Sequence, residues 1–153
     1  MSGRYIIYSI LLFYDIFSYM KTYQPVRILI SADKGIIGTI LAEFLMSAGF
    51  GTTVLDRDDS LFYELRGGAY YVLILTNTSL IPEEIIQMSV QIRYFHENVK
   101  VIVLSGWTDN GFPERIMKIG ASDFFSLPVN LEKLTTCVKD IILEKKGVYY
   151  DHP

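Results

Sequence analysis

VRILISAD, residues 26–33, is the stretch on which the reading of this chain turns. Ile28, Leu29 and Ile30 form an unbroken apolar run, the mark of a short strand covered on both faces. The run stops at Ser31-Ala32-Asp33, and a helical pattern begins within four residues. Ile37, Ile40, Leu41, Phe44, Leu45 and Ala48 recur at helical spacing, and Gly49 stands where that helix must stop. In a parallel α/β sheet, the loop leaving the carboxyl end of the first strand is where chemistry gathers. Asp33 is therefore the first candidate residue.

Working outward, strand and helix patterns alternate. Thr52 to Leu55 reads as a strand, and Asp56-Arg-Asp-Asp-Ser as a solvated loop in which Asp59 or Ser60 caps a helix to Arg66, ended by Gly67-Gly68. Tyr70 to Leu75 is a continuous apolar strand with Thr76-Asn-Thr-Ser as its exit loop. Pro82 suits the first turn of the next helix, where Ile85, Ser89, Ile92 and His96 mark one face, with His96 complementing the helix end. Val99 to Leu104 is the fourth strand, closed by Ser105-Gly106. A loop with Asp109, Asn110 and Gly111 leads into a short helix, Pro113 to Ile119, stopped by Gly120. Asp123 to Ser126 is the fifth strand, ended by Leu127-Pro128, and Leu131, Leu134, Val138, Ile141 and Ile142 line the last helix, which closes at Lys145-Lys146-Gly147. Five strands alternating with five helices predict an α/β, flavodoxin-like (βα)5 doubly wound parallel sheet of strand order 2-1-3-4-5. Its site falls at the switch point between the first and third strands.

A net charge of −3 argues against a non-specific nucleic-acid binder, and two His and one Cys leave little for a metal. Lone Cys137 lies in a periodic helix and is expected to be a buried, inert thiol; the absence of a disulfide pair fits a cytoplasmic location. Gly35 and Gly38 fit neither the Walker spacing nor GxGxxG, so turn and helix packing are expected of them. Residues 1–24 are an apolar, aromatic extension, 25–147 the main domain and 148–153 a tail. The run Tyr5 to Tyr19 is shorter than the ~20 residues a membrane span needs and is interrupted by Asp15. It reads as an extra helix on the domain, a weak anchor, or an upstream extension of a frame beginning at Met20. The first and third are favoured, and no membrane contact is expected.

From Val26 to Lys146 the sequence resembles the receiver domain of two-component response regulators. ILISAD stands where that family's first strand ends in an acidic pair; Ala48-Gly49-Phe50 follows the first helix at the usual spacing; VIVLSG, residues 101–106, resembles the fourth strand with its hydroxyl residue. GASDFFSLP, residues 120–128, resembles the family's Gly-Ala-x-Asp-Tyr-x-x-Lys-Pro signature. The resemblance puts the acidic pair on Ala32 and Asp33, the phosphoacceptor on Thr76, the hydroxyl on Ser105, the phosphoryl-pairing Lys on Leu127 and the aromatic switch on Phe124.

Phosphotransfer to an aspartate needs a carboxylate nucleophile, a divalent ion and a fixed positive charge opposite it. Thr76 is a poor nucleophile without a base, Leu127 carries no charge, and Asp33 alone offers Mg²⁺ only a weak site. Ser105 and Thr76 form no hydrolase without a His beside them. The resemblance therefore implies a pseudo-receiver that is no enzyme and needs no cofactor. Thr76, Asn77 and Ser105 are expected to satisfy Asp33, which itself is expected to cap the first helix. Trp107 either anchors a partner or lies buried under its loop. The partners implied are proteins — a histidine kinase, an output domain or a second copy — docking through the fourth helix, fifth strand and fifth helix around Arg115, Lys118, Phe124 and Lys133. No direct contact with nucleic acid is expected. The rival readings are a phosphorelay receiver of unusual chemistry and a small-ligand binder at the neutralised pocket. Little sequence follows Lys146, so the chain reads as stand-alone or as a fragment of a longer regulator.

Overall fold

The computed structural model describes residues 6–14, 26–33, 36–55 and 60–145. Among them a helix over residues 6–14, α1, comes first. Then follow β1 (Arg27–Ala32), α2 (Ile37–Ser47), β2 (Gly51–Leu55), α3 (Leu61–Arg66), β3 (Val72–Thr76), α4 (Pro82–Phe95), β4 (Lys100–Ser105), α5 (Phe112–Lys118), β5 (Asp123–Ser126) and α6 (Leu131–Lys145). The strands form one parallel sheet in the order β2-β1-β3-β4-β5, the flavodoxin-like arrangement expected.

The apolar strand runs are continuous because successive side chains enter two different cores. Ile28, Ile30, Val72, Ile74, Ile102 and Leu104 face α2 and α6, where Leu41, Leu45, Leu134 and Val138 cover them. Leu29, Leu73, Leu75, Val101 and Val103 face α3, α4 and α5, where Leu61, Ile85, Ile92, Phe112 and Ile116 meet them. The edge strand β5 is only 4 residues long, which leaves little unpaired backbone for stray pairing. Residues of α1 belong to neither core; its large apolar side chains are exposed, from 55% at Leu11 to 71% at Tyr8. No helix among the described residues is long and apolar enough to cross a membrane.

Several local expectations change. Tyr70 and Tyr71 precede β3, and Thr76 is its last residue rather than part of the exit loop. Ile40 faces solvent, and Gly38 and Ala42 take buried positions of α2. Ser60 stands at the N-cap of α3 without a side-chain capping bond. Glu84 reaches back to accept from the Ile81 N–H at 2.9 Å, which together with Pro82 fixes the start of α4. Cys137 is half-buried; it donates to Asp123 at 3.3 Å, and burial followed by Asp123 pushes its pKa up to about 12, so the thiol stays protonated. Gly35, Asp56, Asp58, Asp59, Met20 and the tail lie outside the described residues.

At Gly38, α2 lies close against the sheet. A methyl group built there would stand 2.9 Å from Val54 Cγ1 and 3.0 Å from Ala32 Cβ. Alanine gains up to about 1 kcal/mol of helix propensity, yet overpacking costs roughly 1–3 kcal/mol. Gly38→Ala is thus expected to lose about 1 kcal/mol in urea denaturation. A more stable variant would show that α2 can move away from β1.

Candidate functional site

The strand order brings the carboxyl ends of β1 and β3 side by side, with Ala32 in register with Thr76. Asp33, one residue beyond β1, therefore faces the loop after β3. Its Oδ2 accepts from the Thr78 hydroxyl at 2.5 Å and from the Ser79 N–H at 2.7 Å, and its Oδ1 accepts from the Ser79 hydroxyl at 3.0 Å. The expected helix cap is not formed: α2 begins after Ile36, with no side-chain capping bond. Nor do Thr76, Asn77 and Ser105 satisfy the carboxylate. Thr78 and Ser79 do, and the hydroxyl-rich run Thr76-Asn-Thr-Ser was their only sequence signal.

Each of the other pocket positions is occupied differently. Ala32 is buried against α2, and Thr76 is fully buried with no hydrogen-bond partner for its Oγ1. Ser105, the last residue of β4, accepts from the Trp107 N–H at 3.0 Å. Leu127 packs on the core between the sheet and α6. Buried Ser31, unremarked in the sequence, lies 3.5 Å from the Asn77 amide nitrogen. Trp107 is neither buried nor free: it is 45% exposed and its Nε1 donates to the Leu80 carbonyl at 3.2 Å. Asp33 and Trp107 thus grip residues 78–80 from both sides and tie three loops of the sheet's carboxyl edge together.

Phe124 is half-buried and packs edge to face on Phe112, with centroids 5.8 Å apart at 89°. Arg115 makes a two-pronged ion pair with Glu83, at 3.0 and 3.2 Å, which links α5 to α4 and holds the Glu83 carboxyl below its usual range. The pair is exposed and adds little to stability. Lys118 lines a groove of about 610 Å³ between α5 and β5, together with Pro113, Arg115, Met117 and Phe124.

This donor set does not suit Mg²⁺, which takes a near-octahedral oxygen shell with one or two carboxylates. Among the described residues the pocket brings a single acid, and both its oxygens are engaged by loop donors. Among the described residues no three His, Cys, Asp or Glu stand together. Burial raises the Asp33 pKa, but the hydrogen bonds from Thr78 and Ser79 outweigh it and leave the group below the usual 3.8. A depressed carboxylate stabilises the fold above its unfolded pKa and loses that contribution as pH falls through the lower folded one. The Ser79 amide is therefore expected to keep its hydrogen-exchange protection down to about pH 4 and lose it below. Protection in Asp33→Asn should be weaker above about pH 4, and an Asn variant as protected as the parent there would show that Asp33 does not hold the loop.

No family model matches the sequence, and no curated protein does. Solved structures match much of it. A CheY-like response regulator receiver domain protein from Methanospirillum hungatei superposes with a TM-score of 0.72 at 17% identity, over 82% of this chain and 100% of that one. A response regulator receiver protein from Pseudomonas putida gives 0.69 at 25%, over 78% and 99%. An atypical orphan response regulator, described as having a phosphorylation-independent regulatory mechanism, gives 0.67 at 16%, over 76% and 95%. The fold is that of a response-regulator receiver domain.

Proposed function

We propose that this chain is a receiver-like signalling module that has left phosphoryl chemistry and acts by protein–protein contact. It works in the cytoplasm, catalyses nothing and uses neither Mg²⁺ nor another cofactor. The observation that carries this reading is the use made of Asp33. Asp33 serves as a fixed clasp on Thr78 and Ser79, and no carboxylate nucleophile stands at Thr76. With the loop held by Asp33 and Trp107, no phosphoryl group is needed to order it. The orphan regulator described as phosphorylation-independent lends support by likeness of fold.

The partner is a protein: a histidine kinase, an output domain or a second copy. It docks on the α5–β5–α6 face, where Pro113, Met117 and Phe124 supply an apolar groove with a rim of mixed charge from Glu114, Arg115, Lys118 and Asp123. Incubating the intact chain with acetyl phosphate and Mg²⁺ tests the reading. Mass spectrometry is expected to find no covalent phosphoryl group; its appearance would make the chain a phosphorelay receiver of unusual chemistry.

A further inference from the structure

A second cavity, of about 360 Å³, opens by the amino-terminal ends of β1 and β3. Arg27, Tyr63, Glu64, Arg66 and Tyr70 line it. Arg27 begins β1 and Ala32 ends it, so this cavity lies roughly 20 Å from the switch point. The Arg27 guanidinium sits over the Tyr70 ring, 4.8 Å from its centroid, and donates to the Tyr70 hydroxyl at 3.3 Å. That hydroxyl in turn donates to Glu64. Glu64 is thus taken up by a phenol. Neither Arg27 nor Arg66 forms an ion pair with any described residue; the pair found among them is Arg115–Glu83. Tyr63 stands at the rim, 77% exposed.

Two guanidiniums sharing one cavity with a single engaged carboxylate leave an excess of positive charge there. A guanidinium presents paired donors that match the oxygens of a phosphate. An exposed tyrosine ring offers a stacking platform for an aromatic group. The volume falls within the ~300–1,000 Å³ typical of small-molecule sites.

We propose that this cavity binds a small aromatic phosphate of the nucleoside monophosphate type, its phosphate between Arg27 and Arg66 and its ring on Tyr63. The test is a titration of the full chain with adenosine 5′-monophosphate, adenosine and inorganic phosphate, followed by amide NMR shifts and calorimetry. The monophosphate is expected to bind saturably and to move the amides of Arg27 and of residues 63–70. Adenosine and phosphate should each bind at least about tenfold more weakly, as each lacks one half of the recognition. Arg66 and Tyr63 are exposed, so Arg66→Ala and Tyr63→Ala keep the fold, which a thermal melt checks. Arg66→Ala should weaken binding about tenfold and Tyr63→Ala severalfold. Absence of saturable binding, shifts centred on Asp33, Thr78 and Ser79, equal binding of phosphate alone, or an unaffected Arg66→Ala would each overturn the proposal.

Discussion

Thr76→Asp is expected to destabilise this chain by about 3–5 kcal/mol at neutral pH. Thr76 is fully buried at the end of β3, opposite Ala32. Among the described residues the Thr76 Oγ1 has no hydrogen-bond partner, so a charge placed there gains none from them. Leu127 packs on the core, and the Asp33 carboxylate lies one residue beyond Ala32 on the neighbouring strand. Desolvation and this like charge both raise the pKa of the introduced group. The deficit is therefore largest at high pH and shrinks as pH falls towards the ordinary carboxylate range. Thr76→Val should change stability in the opposite sense. It removes a buried hydroxyl that has no partner, for a gain of about 0.5–1 kcal/mol. Urea denaturation of the two variants at several pH values checks both signs. An Asp variant as stable as the parent would mean that a cation neutralises the pocket, and the phosphoryl-free reading would fall with it.

The second large effect is expected at Phe112. Its ring is 1% exposed and sits between the sheet and α5, edge to face with Phe124. Truncation to alanine removes a core aromatic and leaves a void, a loss of about 3–5 kcal/mol. Of this, roughly 0.5–1.5 kcal/mol belongs to the ring pair itself. Phe112→Leu keeps most of the volume and should cost only about 1–1.5 kcal/mol. The consequence reaches the surface, because Phe124 is also a wall of the groove between α5 and β5. Denaturant midpoints measure the stability change, and aromatic NMR signals of Phe124 report whether its ring has left its place. A loss below about 1 kcal/mol in the alanine variant would mean that Phe112 is not held as the structure has it.

Much of the fold was legible along the chain because burial and helix termination are local. Ile28 to Ile30 had to be covered on both sides, and they are. Gly49, Gly68 and Gly120 stand with φ of +98°, +79° and +105° just past their helices, as the stops required. At Gly120 a side chain would also meet Arg93. The site was less legible. Asp33 was easily singled out, but its most local role, capping the next helix, was the one the chain does not use. Trp107 likewise is not buried under its loop: it is partly exposed and bonded across to Leu80.

The sequence by itself determined the element order, the parallel sheet and its two-sided core, since periodicity and glycine placement act over a few residues. Only the tertiary structure decided what Asp33 does. Asp33 and Thr78 are 45 positions apart, and they meet because the order β2-β1-β3 sets the end of the first strand beside the end of the third. The same neighbouring of β1 and β3 at their other ends brings Arg27 to Tyr70, 43 positions away, and builds the second cavity.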